Sequence, residues 1–283
     1  MELDVAHLQQ WIGRNAEADD LVTPRLVAEY RATFAPQLFE TPEGEAPLGL
    51  HWCLSPPIAP MADLGPDGHP TTGGFLPPVP LPRRMWAGGE IETHGALRVG
   101  DDVTRTSTIG GVTAKQGRSG PLCFVAVRHG YATPRGLAVT ERHDIVYRAA
   151  DPGSASPRSA PSDPARPRQA DLRWTIETSP VLLFRYSAMT FNGHRIHYDQ
   201  PYVTGVEVYP GLVVHGPIQA TLCFNIAAEL LGTVPRRFHY RNLSPLTAGD
   251  AFTVAGARHA DGTVACWTES ADGRTCMEGE ASA

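Results

Sequence analysis

Between Phe184 and Asp199 the chain reads FRYSAMTFNGHRIHYD, which gathers Asn192, His194, Arg195, His197 and Asp199 into one polar segment. A neutral imidazole titrates near physiological pH, so His197 suits general base work. The plain alternative is a structural histidine bonded to a backbone carbonyl. Asn192 cannot act as a base, but its amide can position a water. Asp199 fits either a partner for a histidine or water, or a turn aspartate. His194 and His197, three residues apart, would face one ion if they stood on a helix. The Asn-Gly before them and Pro201 after them indicate a loop instead, and no third strong ligand is evident. No metal is expected.

The same stretch runs on into an apolar segment, Val213 to Leu231. There Val214, Ile218, Leu222, Ile226 and Leu230 recur at a helical period. Ala220, Phe224, Ala227 and Leu231 cover much of the remaining surface, which predicts a helix buried on most sides. Gly216-Pro217 marks its start. A helix start carries unpaired N–H donors and a partial positive charge. The Gly216 N–H, with no side chain in the way, can meet an oxygen that gains negative charge. Pro217 has no N–H, so Ile218 is the next donor. His215 lies beside this point.

The remaining elements must position these groups. Leu3 to Trp11 predicts a short amphipathic helix, and Thr23-Pro24 opens a second one to about Phe34. Residues 56–82, crowded with proline and glycine, read as an ordered loop over a surface or cleft. PRRMWAGG follows at Pro82 to Gly89. Arg83 and Arg84 suit a phosphate or carboxylate, and Trp86 suits an adenine or acyl chain; the alternative is a solvated basic pair with Trp86 in the core. Strands are predicted over 102–109, 121–128 and 141–147, with turns at Gly110-Gly111 and Ser119-Gly120. Residues 149–170, AADPGSASPRSAPSDPARPRQA, cannot bury enough apolar area to offset their ordering entropy and read as a linker. Beyond it, strands are expected over 172–178, 236–242, 251–258, 263–270 and near 274–280. The pattern LxxGDxxT occurs at Leu97–Thr104 and again at Leu246–Thr253, one copy on each side of the linker, which argues for two related units.

The net charge of -6 argues against nucleic acid as a partner, and no apolar run approaches the ~20 residues of a membrane span. The acidic N-terminus lacks a signal-peptide profile, and five scattered cysteines suggest reduced thiols. A cytoplasmic location is expected.

The string FNGHRIHYD, the helix start at Gly216 and the earlier PRRMWAGG resemble the MaoC-like enoyl-thioester hydratases and dehydratases. Within them they are similar to the branch of 3-hydroxyacyl-thioester dehydratases of type 2 and the mesaconyl-CoA and itaconyl-CoA hydratases. His197 matches the family's catalytic histidine and Gly216 its helix start. Asn192 stands where the family has an aspartate, which leaves His197 to carry the proton. The resemblance implies an α+β double hot-dog. Its parts would be an acyl-binding unit over 1–148, a linker over 149–170 and a catalytic unit over 171–283. The second unit keeps the long helix, while the first has lost most of its own. The implied activity is a cofactor-free hydro-lyase acting on a coenzyme A thioester, possible as a homodimer. A short branched C4-dicarboxylic acyl group is the expected substrate, its free carboxylate held by Arg195 first and Arg84 second. Competing functions are a general 3-hydroxyacyl-thioester dehydratase, a hot-dog thioesterase and a non-catalytic acyl-CoA binding module.

Overall fold

The computed structural model describes residues 3–117, 120–149 and 168–283. Most of the expected linker, residues 150–167, lies outside them. Five strands come from the first half: β1 (Asn15–Leu21), β2 (Arg83–Thr93), β3 (Asp102–Gly117), β4 (Gly120–Thr133) and β5 (Gly136–Arg148). Five come from the second: β6 (Leu172–Ile176), β7 (Arg237–Asn242), β8 (Phe252–Arg258), β9 (Val264–Glu269) and β10 (Thr275–Ser282). The helices are α1 (Val5–Gln9), α2 (Pro24–Phe34), α3 (Pro180–Met189), α4 (Gln200–Gly205) and α5 (Gly216–Leu231). None of the described helices is long and apolar enough to cross a membrane.

The strands form one antiparallel sheet in the order β1-β3-β4-β5-β2-β7-β10-β9-β8-β6. Each half repeats the same order outward from the β2–β7 pair, so the two hot-dog sheets are fused edge to edge rather than separate. Their junction pairs Gly88 with Arg241 and Glu92 with Arg237, centred on Glu90 and His239. The LxxGDxxT copies lie just before β3 and β8 and make the same bonds. Ala46 N–H donates to Leu97 O and Val214 N–H to Leu246 O, both at 2.8 Å. A second repeat, PxLxxxYxA, marks α2 and α3 (Pro24 to Ala32, Pro180 to Ala188). Thr23 Oγ1 caps the first, accepting from Leu26 N–H at 3.0 Å, and Ser179 Oγ caps the second, accepting from Leu182 N–H at 3.2 Å.

The halves differ at the central helix. α5 runs from Gly216 to a left-handed Gly232 cap, and Ala220, Thr221, Cys223, Asn225, Ile226 and Ala227 have almost no exposed surface. It packs on β7, β8, β9 and β10. In the first half that place holds only a 3-10 turn, Leu50–Cys53. One apolar core still joins the halves, from Val22 and Tyr30 to Phe238 and Met277.

One local expectation is corrected, and one strand is added that the sequence did not signal. Gly110-Gly111 is not a turn: β3 continues through it to Gly117, and the register against β4 shifts between Ile109 and Gly111. A long twisted strand absorbs an extra residue as a bulge. β1 has no apolar alternation and was not expected as a strand; it is an edge strand whose Glu17, Asp19 and Asp20 charges oppose further pairing.

The shared core and the β2–β7 junction carry a prediction. Residues 171–283 expressed alone should expose the β7 edge and lose the β2 side chains at the site. We expect self-association by gel filtration and no turnover; a monomeric, fully active fragment would refute the joint unit.

Candidate active site

His197 ends a 3-10 turn, Arg195–His197, and is buried. Its Nδ1–H donates to Val213 O at 2.7 Å, so the tautomer leaves the Nε2 lone pair free as a base. Burial pulls its pKa down to about 4, partly opposed by the Val213 bond, and the ring is neutral at pH 7. Its face stacks on His215, with centroids 3.5 Å apart and planes 15° apart. His215 caps α5 and shares a 2.9 Å hydrogen bond with Ser187 Oγ through Nε2.

Gly216 follows directly. As the first residue of α5 it has no intrahelical acceptor for its N–H. A Cβ here would stand 2.4 Å from Trp86 Cε3 and 2.9 Å from Asn242 Nδ2, so only glycine lets the indole approach. Asn242 Nδ2 holds β2 in place by donating to Trp86 O at 2.7 Å. The Ile218 N–H, the second oxyanion donor considered, already donates to His215 O at 3.1 Å.

The first half of the duplicated fold lacks these groups. Glu45 occupies the place of Val213 in the first half, each bridging the LxxGDxxT segment. There Thr41 Oγ1, not an imidazole, donates to Glu45 O at 3.3 Å. By the same register Leu48 takes the place of Gly216.

The loop that carries Asn192, His194 and His197 is held by the first half. Asn192 Oδ1 accepts from His194 N–H at 3.0 Å, bracing the turn. Gly68, at φ +86°, lies so close to Gly193 that a Cβ would meet its carbonyl oxygen at 2.0 Å. Arg195 N–H donates to Asp67 O and its Nη1 to Pro66 O, both at 2.9 Å. The proline- and glycine-rich segment therefore packs on the turn that carries Gly193 and Arg195. It also delivers Asp67 and His69, which the sequence reading did not single out. Their rings and carboxylate interlock: His69 Nδ1 lies 2.9 Å from Asp67 Oδ2, and the His69 ring sits 3.9 Å from that of His194. His194 is in turn 5.4 Å from His197, edge to face.

The metal set considered from spacing does not assemble. Asp199 is turned away from the two imidazoles: it accepts from Arg195 and caps α4 by accepting from Tyr202 N–H at 3.0 Å. The groups that do converge are Asp67, His69 and His194, with ligand atoms within 4.8 Å of one another. Burial lowers the His69 and His194 pKa values first; Asp67 opposes this at His69, neighbouring imidazoles add to it at His194, and the Arg84 charge lowers both. A guanidinium beside the trio opposes a second cation.

The arginines divide by environment. Arg195, the first choice for a substrate carboxylate, is occupied. Nε and Nη2 donate to Asp199 Oδ2 at 2.9 and 2.8 Å, and the guanidinium lies 4.0 Å over the Tyr202 ring. Arg83 is buried with Nε 3.5 Å from Glu207 Oε2. Arg84, on the opposite face of β2, is half-buried among His69, His194 and His143; its charge reaches the Asp67 carboxyl, but it forms no ion pair within 4.0 Å among the described residues. Trp86 shares its face and meets His143 edge to face at 5.5 Å.

A family model described as Htd2, hydroxyacyl-thioester dehydratase type 2, matches residues 49–248. A protein of Chloroflexus aurantiacus named mesaconyl-C(4)-CoA hydratase is 42% identical over 237 residues, 83% of this chain and 84% of that one. A mitochondrial hydroxyacyl-thioester dehydratase type 2 of Schizosaccharomyces pombe is 26% identical over 227 residues, 70% and 73% of the two chains. Among solved structures, HtdX of Mycobacterium tuberculosis superposes with TM-score 0.66 at 18% identity, covering 95% of this chain and 99% of that one. Another M. tuberculosis protein, described as having a double hotdog fold, gives 0.54 at 14% identity over 95% of each chain.

Proposed function

Since the chain belongs to the hydroxyacyl-thioester dehydratase type 2 family of MaoC-like hydratases and dehydratases, we propose that His197, Asn192 and Gly216 add water to, or remove it from, a short branched C4-dicarboxylic acyl-CoA. The hydro-lyase class follows from the family; the residue roles and the acyl group are our reading. The observation that carries it is the Nδ1–H bond from His197 to Val213, which leaves Nε2 as a neutral base beside the start of α5.

In hydration, His197 Nε2 takes a proton from water while the oxygen bonds to Cβ. The π pair moves toward Cα and the thioester oxygen, where the Gly216 N–H meets the developing charge. The imidazolium then returns the proton to Cα, and no proton is gained or lost overall. The positive ring and the enolate arise together, so each offsets the cost of the other in a buried site. Asn192 can hold the water through its amide N–H group. Dehydration is the reverse path.

The diacid preference is supported by Arg84. A half-buried guanidinium that forms no ion pair with a carboxylate among the described residues suits a substrate carboxylate in two-pronged contact. The name of the Chloroflexus relative agrees with that class. The test compares kcat/KM for mesaconyl-CoA and crotonyl-CoA. Wild type should favour mesaconyl-CoA. Arg84→Met should lose about 1.5–3 kcal/mol on the diacid ester alone, the scale of a hydrogen bond between charged groups. Arg195→Met should lower both substrates equally, because it ties the catalytic loop to Asp199 and Pro66. Preference of the wild type for crotonyl-CoA would defeat the diacid assignment.

A further inference from the structure

The inner face of β2 and β5 continues past the catalytic end to a cavity of about 420 Å³, bordered by Leu50, His51, Ile91, Val139 and Phe224. Along β5 this face carries Val139, Glu141 and His143 in turn, and along β2 their neighbours include Ile91, Gly89 and Trp86. Val139 and Ile91 line the cavity, whereas His143 and Trp86 meet at the catalytic end. Glu141 stands between the cavity and the His143–Trp86 contact.

Its carboxyl is buried and held from two sides. Trp52 Nε1–H and Tyr240 Oη–H both donate to Oε1 at 2.9 Å. Trp52 also lies edge to face on Trp86 at 5.8 Å and on Tyr240 at 6.1 Å. The Tyr240 ring rests on Gly89, where a Cβ would meet Oη at 2.4 Å. His51 borders the cavity from behind, with Nε2 unbonded and 4.0 Å from Glu141 Oε2. The three closing side chains come from the first-half loop, β5 and β7, so the closure is built across the junction of the halves.

We propose that Trp52, Glu141 and Tyr240 form a partition that ends the acyl site and fixes the length of acyl group accepted, the cavity behind it being an extension that removal of the partition opens. This rests on the hydro-lyase reading of the site. An apolar tail pushed past Trp86 would have to break both bonds to Glu141 and leave a carboxyl, which burial already holds toward its neutral form, without partners. Unpartnered buried polar groups are costly, so a long chain is rejected at this point. A short acyl group stops before it.

The experiment measures kcat/KM for trans-2-dodecenoyl-CoA and for the better of crotonyl-CoA and mesaconyl-CoA. Wild type should strongly favour the short ester. Trp52→Ala should raise the long-to-short ratio by about 10–100-fold, the scale of discrimination that a few methylenes give in an apolar pocket. Adding Val139→Phe to fill the cavity should return the ratio toward wild type. Trp52→Leu, a smaller change, gives the same reading if the alanine variant does not fold. An unchanged ratio in a folded Trp52 variant, a gain that Val139→Phe does not reverse, or a wild type that already uses the long ester would overturn the partition. A wild type inactive on every enoyl ester would overturn the underlying hydro-lyase reading as well, which separates the two failures.

Discussion

His197→Ala is expected to lower kcat by 10²–10⁴-fold, the usual contribution of a positioned general base. At about 1.4 kcal/mol per tenfold, the loss in transition-state stabilisation is roughly 3–5 kcal/mol. Asn192→Ala should cost less. It removes a neutral amide and the 3.0 Å bond that Oδ1 accepts from His194 N–H, worth about 0.5–1.5 kcal/mol net. Stopped-flow or steady-state loss of enoyl absorbance separates the two. Equal residual activity would mean that the roles are misassigned. The pH profile adds a sign. Burial has moved His197 to about 4, so its base form is fully present at neutral pH and is lost only as pH falls through that value. Hydration should therefore show no acid limb near 6.5 from this ring while the protein stays folded, and His197→Ala should abolish whatever break appears near 4.

Much of this arrangement can be read in the residues because it is local. The period of Val214 to Leu230, with Gly216-Pro217 before it, predicts α5 to its observed start. Thr23-Pro24 does the same for α2. LxxGDxxT reports the duplication because a Gly-Asp turn before a strand is conserved geometry within the chain itself. What sequence could not supply is long-range pairing. β1 is polar because it is an exposed edge, so the alternation that identifies strands is missing from it. Gly110-Gly111 has turn composition but lies in a bulge, and only the β4 partner decides between the two. Arg195 stands nearest to His197 in sequence, yet Asp199 and Pro66 take its donors. Arg84, more than a hundred residues away in the chain, reaches the imidazoles instead. Asp67 and His69 were missed for the same reason: their loop gives composition but no periodicity. The repeated PxLxxxYxA could have revealed α3 and its Ser187 contact with His215, since its first copy already follows a cap and proline.

The loop contact carries the second large effect. Gly68→Ala is expected to lower kcat/KM by about 10²-fold without unfolding the sheet. The added Cβ would fall 2.0 Å from Gly193 O, and a backbone carbonyl at the head of the turn that carries His194 and His197 cannot rotate aside. Either Gly193 moves, carrying Asn192 and His194, or the 65–69 segment withdraws and breaks the bonds from Arg195 to Asp67 and Pro66. Both displace the turn that presents His197, and a shift of about 1 Å at a reacting group can cost 10²-fold. Part of any effect will be backbone strain, because Gly68 has φ +86° and an L-residue there costs about 1–2 kcal/mol. Gly13 supplies the control: it has the same φ of +86°, but nothing lies within 4 Å of its Cβ position. Gly13→Ala should lower the melting temperature by a similar amount and leave kcat/KM near wild type. If Gly68→Ala behaves like Gly13→Ala in both measurements, the first-half loop does not position the catalytic turn, and His197 is held by its own bond to Val213 and its stack on His215 alone.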